Sequence, residues 1–272
     1  MVGCQSPAET RIRPIEREQG IQKVACVIEY DGTNFYGFQR QPKQRTVQAE
    51  LEQVLGQIAQ RACSVVGAGR TDRGVHARSQ VIHFCIEWKH PWLALRRALN
   101  ALLPMDISVR EVLPVGDEFH ARYSATSRLY RYVLYNGEVR SAFAARFAHQ
   151  VTSCLDVHTM NRASGYLIGT HDYASFGQAP NGGHTVRQVY GAHWWRQGDW
   201  VFFDIEANAF LRQMVRSIVG TLLLVGVGKL SPAEVADILA ARNRASAGPP
   251  APAQGLFLEK ICYPAPWRHI GC

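Results

Sequence analysis

The sequence has few of the patterns that mark metal-binding, disulfide-bonded or membrane-spanning proteins. Its 272 residues include seven cysteines, an odd number, and no two of them are spaced as C-x-x-C. We therefore expect no metal site and no disulfide framework, with most cysteines reduced and packed in the core. The apolar run between Arg216 and Lys229 holds 12 residues. A helix needs about 20 apolar residues to cross a bilayer, so no membrane span is expected.

The first 23 residues also lack the apolar segment of a signal peptide, because they are mostly polar and charged. Together with the cysteine usage, this predicts a soluble protein of the cytoplasm. Apolar residues make up 47% of the chain, which is enough for a packed core and disfavours extended disorder.

Lysine is scarce, whereas arginine is abundant. The chain has 5 lysines and 25 arginines, and its net charge is +8. The planar guanidinium binds phosphate through two parallel hydrogen bonds and stacks on bases, which an ammonium group does not do. This composition favours a polyanionic partner, with nucleic acid first. A GC-rich coding bias produces the same excess, so composition alone leaves both explanations open.

Hydrophobic periodicity predicts two α+β halves, each with a mostly antiparallel sheet. We expect a disordered leader over residues 1–20, an N-terminal domain over 21–115 and a C-terminal domain over 116–272. Strands are predicted at 23–30, 64–66, 79–87, 107–112, 128–135, 186–195, 200–207 and 256–262; helices follow Thr46, Asp156 and Ser231, begin near Trp92, and span 210–227.

The densest polar segment is the glycine-rich turn at residues 67–77. It contains Asp72 between Arg70 and Arg73, and glycines that let the backbone approach a ligand closely. The flanking arginines favour the ionised carboxylate, which is suited to act as a nucleophile or base on a bound polyanion. A surface salt bridge on a flexible turn is the alternative. The segment lacks the Gly-Lys-Ser/Thr of a P-loop and the third glycine of a dinucleotide fingerprint.

Residues 69–76, Gly-Arg-Thr-Asp-Arg-Gly-Val-His, closely resemble the Gly-Arg-Thr-Asp-Ala-Gly-Val-His signature of the tRNA pseudouridine synthase A family. The resemblance extends from Val24 to Pro264. The other matching segments are residues 29–32, 37–40, 46–48, 119–122, 124–126, 130–132, 171–176, 207–212, 214–220, 255–258 and 263–264.

This resemblance implies an RNA isomerase that acts on uridines at positions 38, 39 and 40 of the tRNA anticodon stem-loop. Family members break the N1–C1′ bond, turn the uracil and rejoin it through C5, without a cofactor or metal. The implied fold has two similar domains with RNA-recognition-like antiparallel sheets flanked by helices, and the implied assembly is a homodimer.

The resemblance also implies roles for individual residues. Asp72 matches the catalytic aspartate, which either adds to C1′ of the sugar or deprotonates the sugar; both routes stay open. Arg70 matches the arginine that helps expel the target base and takes its place in the stack. A simple phosphate contact is the alternative for Arg70. Tyr130 matches the active-site tyrosine, whose ring stacks on the detached uracil and whose hydroxyl takes the C5 proton.

Two arginines of the predicted 210–227 helix complete the candidate site. Arg216 matches the basic residue that pairs with the catalytic carboxylate. Arg212 lies four residues earlier, which predicts that both share one helix face. Arg212 then reaches either RNA or solvent. Tyr132 shares its strand face with Tyr130, and we interpret it as a packing residue.

One position departs from the family signature. Arg73 stands where the family usually has alanine. A long cation beside Asp72 either contacts RNA phosphate or lowers the nucleophilicity of the carboxylate. This departure motivates an alternative function, a catalytically idle RNA-binding or tRNA-chaperone protein on the same fold. A nucleoside hydrolase that uses Asp72 is disfavoured, because a small-molecule site does not need the arginine excess.

Overall fold

The structure is a computed structural model that describes residues 20–179 and 183–271. The predicted disordered leader therefore lies outside the described residues, apart from Gly20. The strands are β1 (Ile21–Tyr30), β2 (Val66–Gly67), β3 (His76–Glu87), β4 (Ile107–Pro114), β5 (Ser127–Tyr135), β6 (His149–Gln150), β7 (Gly169–Asp172), β8 (Val186–Gln197), β9 (Trp200–Ala207) and β10 (Leu256–Cys262). The α-helices are α1 (Val47–Ala59), α2 (Trp92–Leu102), α3 (Val157–Gly165), α4 (Met214–Gly226) and α5 (Pro232–Ala241).

The ten strands of the described residues form one sheet in the order β4-β1-β3-β10-β5-β9-β8-β7, with β2 beside β3 and β6 beside β5. Pairing is antiparallel except between β10 and β3 and between β5 and β6. The predicted α+β class with an antiparallel-dominated sheet is confirmed. Both halves of the chain contribute to this one sheet, and its C-terminal strand β10 lies between them.

The hydrophobic core is continuous across the two halves. Leu51 of α1 and Leu95 of α2 belong to the same buried cluster as Leu222 of α4. A smaller cluster forms around Val133 and Phe257. Helix α2 packs on β4, while α3 packs on β8, α4 and α5. The division into domains at residues 115 and 116 stays a prediction, and it falls between β4 and β5. Among the described residues, no helix is long and apolar enough to cross a membrane.

Three helix starts follow the predicted caps. The side chains of Thr46 and Asp156 accept hydrogen bonds from the backbone N–H groups of Ala49 and Thr159. Ser231 and Glu234 form both bonds of a capping box at α5. These bonds satisfy donors at the helix N-terminus that no intrahelical carbonyl reaches, so the local sequence alone decides where these helices begin.

The predicted helix at residues 210–227 is wrong at its N-terminal end. Helix α4 begins at Met214, and Gln213 before it has a left-handed φ of 62°. Arg212 forms an isolated β-bridge with Gln178, in which its N–H donates to the Gln178 carbonyl over 3.1 Å. The apolar residues at 210–211 continue the helical pattern but pack as part of a turn, which periodicity does not separate from a helix.

A buried histidine on β3 supports the segment that follows β4. His83 is 7% exposed, and its Nδ1 accepts a hydrogen bond from the backbone N–H of Ala121 over 3.1 Å. Its ring lies 4.8 Å from the ring of His120. Burial, together with the smaller effects of the nearby His120 and Lys23, lowers the pKa of His83 from 6.5 to about 4. The fold therefore holds this side chain neutral.

This pKa predicts that stability falls in mild acid. The unfolded chain binds a proton at His83 near pH 6.5, whereas the native state binds it only near pH 4. The contribution of His83 is thus complete above pH 6.5 and is lost as pH falls towards 4. We expect His83→Gln to reduce the difference in urea midpoint between pH 7.5 and pH 5. The exposed His193, changed to Gln, is the control; an equal pH dependence in both variants contradicts the prediction.

Candidate active site

The turn that carries Asp72 connects β2 to β3, and the loop after β1 holds its backbone in place. The N–H of Phe38 donates to the Thr71 carbonyl, and the N–H of Val75 donates to the Asp72 carbonyl, both over 3.1 Å. Gly37 has a φ of +97°, and a Cβ there would lie 2.7 Å from the Thr71 carbonyl oxygen. Only glycine permits this approach without displacement, so the two loops act as one packed unit.

Polar side chains of β1 and β3 form hydrogen bonds within and next to the same turn. Gln80, fully buried, accepts from the N–H of Gly69 and donates to its carbonyl, over 3.2 and 2.8 Å. The hydroxyls of Tyr30 and Thr71 lie 2.8 Å apart. Because every one of these groups is satisfied within the fold, the backbone on both sides of Asp72 has a defined conformation.

His76 orients the loop after β1. Its Nδ1 accepts from the N–H of Gly32 over 3.0 Å, and its ring stacks on Phe257 of β10 at 4.7 Å. Burial lowers the pKa of His76, against the opposing effect of Asp31. The neutral ring keeps the lone pair that this hydrogen bond requires.

Asp72 lies beside Arg216, although the two residues come from different halves of the chain. Nη1 of Arg216 is 3.5 Å from Oδ2 of Asp72, and the two side chains are 17% and 28% exposed. Nε of Arg216 donates to the Ala251 carbonyl over 2.7 Å. Arg216 lies in the first turn of α4, and this second bond fixes the position of its guanidinium. The carboxylate is left open to solvent on one side, where a substrate can approach it.

Tyr130 lies on β5 beside the same turn. Its side chain is 8% exposed, and its ring meets Phe210 edge-on with centroids 5.0 Å apart. A Cβ on Gly69 would lie 3.7 Å from the Tyr130 hydroxyl, so glycine leaves this side of the hydroxyl uncrowded. Burial raises the pKa of Tyr130 well above its ordinary value, and the charges of Tyr30 and Asp72 add to the effect. The phenol is therefore protonated at neutral pH.

The other two predicted site residues are exposed. Arg70 makes no hydrogen bond or ion pair with any residue that the structure describes, and its side chain projects from the turn. Arg212 is also exposed, but it lies before α4. The prediction that Arg212 and Arg216 share one helix face is therefore wrong, because the left-handed Gln213 separates them. Tyr132 is fully buried and donates to the Pro252 carbonyl over 2.7 Å, as its interpretation as a packing residue implies.

A further arginine, which the sequence analysis missed, links the loops around the site by hydrogen bonds. Arg128 is buried, and its guanidinium donates to four backbone carbonyls and to no carboxylate of the described chain. Nη1 binds the carbonyls of Ala125 and Asn208; Nη2 binds those of Ala68 and Arg122. Ala68 belongs to the turn of Asp72, so one side chain links this turn to two other loops. The alternation of side chains along β5 could have indicated that Arg128 faces inward, because residues 128, 130 and 132 lie on the same face of this strand.

Loss of this guanidinium is expected to cost more stability than loss of an ordinary arginine. Arg128→Met leaves four carbonyls without their donor, and each buried unsatisfied group costs about 1–3 kcal/mol. Arg131→Met is the matched control, since Arg131 lies on the same strand but pairs with Asp204 at 26% exposure. Urea unfolding measures both variants. Equal losses of unfolding free energy contradict the prediction.

Among the described residues, no group of three or more His, Cys, Asp or Glu side chains is placed to hold a metal ion. The candidate site described above brings together one carboxylate, one phenol and several guanidinium groups.

Comparisons with known proteins identify the family of this chain. The family model described as tRNA pseudouridine synthase matches residues 26–124 and 163–264. The chain is 45% identical to a tRNA pseudouridine synthase A of Bacillus licheniformis, over 89% of this chain and 99% of the relative. It is 43% identical to one of Syntrophotalea carbinolica, over 88% and 96%, and 44% identical to one of Colwellia psychrerythraea, over 89% and 94%. The chain belongs to the tRNA pseudouridine synthase family.

Proposed function

We propose that this chain isomerises uridine to pseudouridine at positions 38, 39 and 40 of the tRNA anticodon stem-loop. The observation that carries the proposal is the pairing of Asp72 with Arg216 beside Tyr130. A partly exposed carboxylate, a fixed guanidinium and a buried phenol are the groups that this reaction needs. The relatives named above are tRNA pseudouridine synthases A, which supports tRNA as the substrate.

Cleavage of the N1–C1′ bond is the first task. The Asp72 carboxylate either forms a bond to C1′ or removes a proton from the sugar, while the N1–C1′ electron pair leaves with the uracil. Both routes use the ionised form. The Arg216 guanidinium pairs with this carboxylate at 3.5 Å. The hydrogen bond to the Ala251 carbonyl holds the Arg216 side chain in place.

Access to the base is the second requirement. A uridine within a stem must leave its stack before reaction, at a cost of a few kcal/mol. Arg70 projects from the catalytic turn two residues before Asp72 and has no described partner to release. Its planar guanidinium is suited to occupy the gap that the base leaves, or to bind a phosphate beside it.

Rejoining through C5 and loss of the C5 proton complete the reaction. The Tyr130 hydroxyl faces the catalytic turn near Gly69. In the route through a bond to C1′, C5 forms its bond to C1′ as the bond between Asp72 and C1′ breaks. Because its pKa is raised, Tyr130 acts as a neutral phenol, whose oxygen accepts the C5 proton as its own proton passes to the Asp72 carboxylate. Its ring, held against Phe210, offers a flat surface to the detached uracil.

A homodimer, a cytoplasmic location and specificity for the anticodon arm are further parts of this proposal. They rest on the resemblance of the catalytic segment to the family signature. Gel filtration with light scattering tests the dimer. tRNAs in which uridine is retained at only one of positions 38, 39 and 40 test the site of reaction.

The first test concerns Asp72. Transfer RNA labelled with tritium at C5 of uridine releases label when C5 rejoins the sugar. We expect Asp72→Asn to abolish release and to bind tRNA nearly as well as the unchanged chain, because the amide keeps the shape but not the charge. Asp204→Asn is the control, since that carboxylate pairs with Arg131.

Continued release by the Asp72 variant excludes Asp72 as the catalyst. Binding of tRNA without release by the unchanged chain favours the catalytically idle RNA-binding protein. Free uracil among the products indicates a hydrolase instead.

The second test concerns the Tyr130 hydroxyl. Tyr130→Phe keeps the ring and its packing on Phe210, and we expect label release to fall by roughly 10²- to 10⁴-fold, the usual contribution of a general acid or base. Tyr132→Phe is the matched control on the same strand face. It loses one hydrogen bond to Pro252, worth about 1 kcal/mol of stability, and is expected to keep its turnover. Equal turnover in the two variants argues against proton transfer at Tyr130.

A further inference from the structure

Arg73, the residue directly after Asp72, points away from the carboxylate. Its guanidinium carbon lies 4.3 Å from the centroid of the Tyr36 ring, which it covers. Within the described residues, Asp72 has an ion pair with Arg216 and none with Arg73. A cation that stacks on an aromatic face in this way is attracted by the ring quadrupole, so its position has a physical cause.

Hydrogen bonds and packing hold the backbone at Tyr36. The N–H of Tyr36 donates to the Arg45 carbonyl over 2.9 Å, and the Gln41 side chain donates to the Tyr36 carbonyl over 2.8 Å. Arg45 is itself held by Asp106 through two hydrogen bonds of 2.7 and 2.9 Å. Tyr36 is followed by Gly37, which packs on the Thr71 carbonyl. The backbone that carries the ring is therefore fixed relative to the turn of Asp72.

The contact with Tyr36 leaves the hydrogen-bond donors of Arg73 unused. An arginine has five N–H donors, and this contact is not a hydrogen bond. Arg73 is exposed and donates to no described residue. Arg70, three residues earlier, is exposed and without a described partner as well. Two free guanidinium groups thus flank Asp72, and an anion with several oxygens satisfies such donors best.

We propose that Arg73, held in place by Tyr36, binds a phosphate of the RNA chain next to the reacting nucleotide. This inference rests on the proposed function, because it takes tRNA as the ligand. It also separates the two roles that the sequence left open for Arg73. The residue contributes to substrate binding and does not lower the reactivity of Asp72, whose partner is Arg216.

The test compares Arg73→Ala with the unchanged chain in the tritium-release assay. We expect KM for tRNA to rise about threefold to tenfold, kcat to stay within about twofold, and the pH profile of kcat to stay the same. The negative slope of log kcat/KM against log salt concentration is expected to become less steep by about 1, as for one lost phosphate contact.

Two further variants make the test specific. Tyr36→Leu removes the support but keeps the charge, so an intermediate rise in KM is expected. Arg97→Ala removes an exposed arginine of α2 and is the matched control for the change in net charge, with KM and salt slope unchanged.

An unchanged KM and salt slope in Arg73→Ala overturns the inference. A higher kcat with unchanged KM overturns it in favour of a direct effect on Asp72. If the unchanged chain releases no label, the proposed function fails. In that case the tRNA dissociation constants of the same variants, measured against salt, still decide whether Arg73 binds phosphate.

Discussion

The candidate active site depends on the insertion of β10 between the two halves of the sheet. This strand pairs with β3 at His76 and Ala77, directly after the turn of Asp72, and with β5 at Tyr130. The turn of Asp72 and the strand of Tyr130 are thereby held one strand apart. Because a sheet fixes neighbouring strands about 5 Å from each other, the backbone determines this spacing before any side chain is placed. Arg216 then reaches Asp72 from α4, across the same junction.

Around this junction, a few guanidinium groups do what metal ions or disulfides do in other proteins. Arg128 joins three loops through backbone carbonyls, and Arg216 joins the segment at Ala251 to Asp72. Carbonyl partners leave the positive charge of Arg128 unneutralised inside the fold. Its charge lies close enough to Tyr130 to lower the pKa of that phenol in part, although burial has the larger effect and raises it. The same side chain thus organises the loops and acts on the electrostatics of the site.

Local sequence predicted most of the elements, and the resemblance predicted which of them carry the site. Caps at Thr46, Asp156 and Ser231 could be read because the bonds involve residues only three apart. The position of β10 could not, since its pairing with β3 joins residues that are far apart in the chain. The break before α4 was missed for another reason. Phe210 and Leu211 keep the apolar spacing of a helix, but the backbone at Arg212 forms a β-bridge with Gln178 instead.

The structure also bears on the arginine excess. A coding bias places arginines without regard to partners, whereas a functional surface leaves some of them free beside the reactive group. Arg45 and Arg131 pair with carboxylates, and Arg128 binds carbonyls, so these contribute to the fold. Arg70 and Arg73 flank the Asp72 carboxylate, are exposed, and donate to no described residue. Free donors on a fixed turn retain their capacity for an anion, and a polyanionic substrate is the ligand that uses several of them at once.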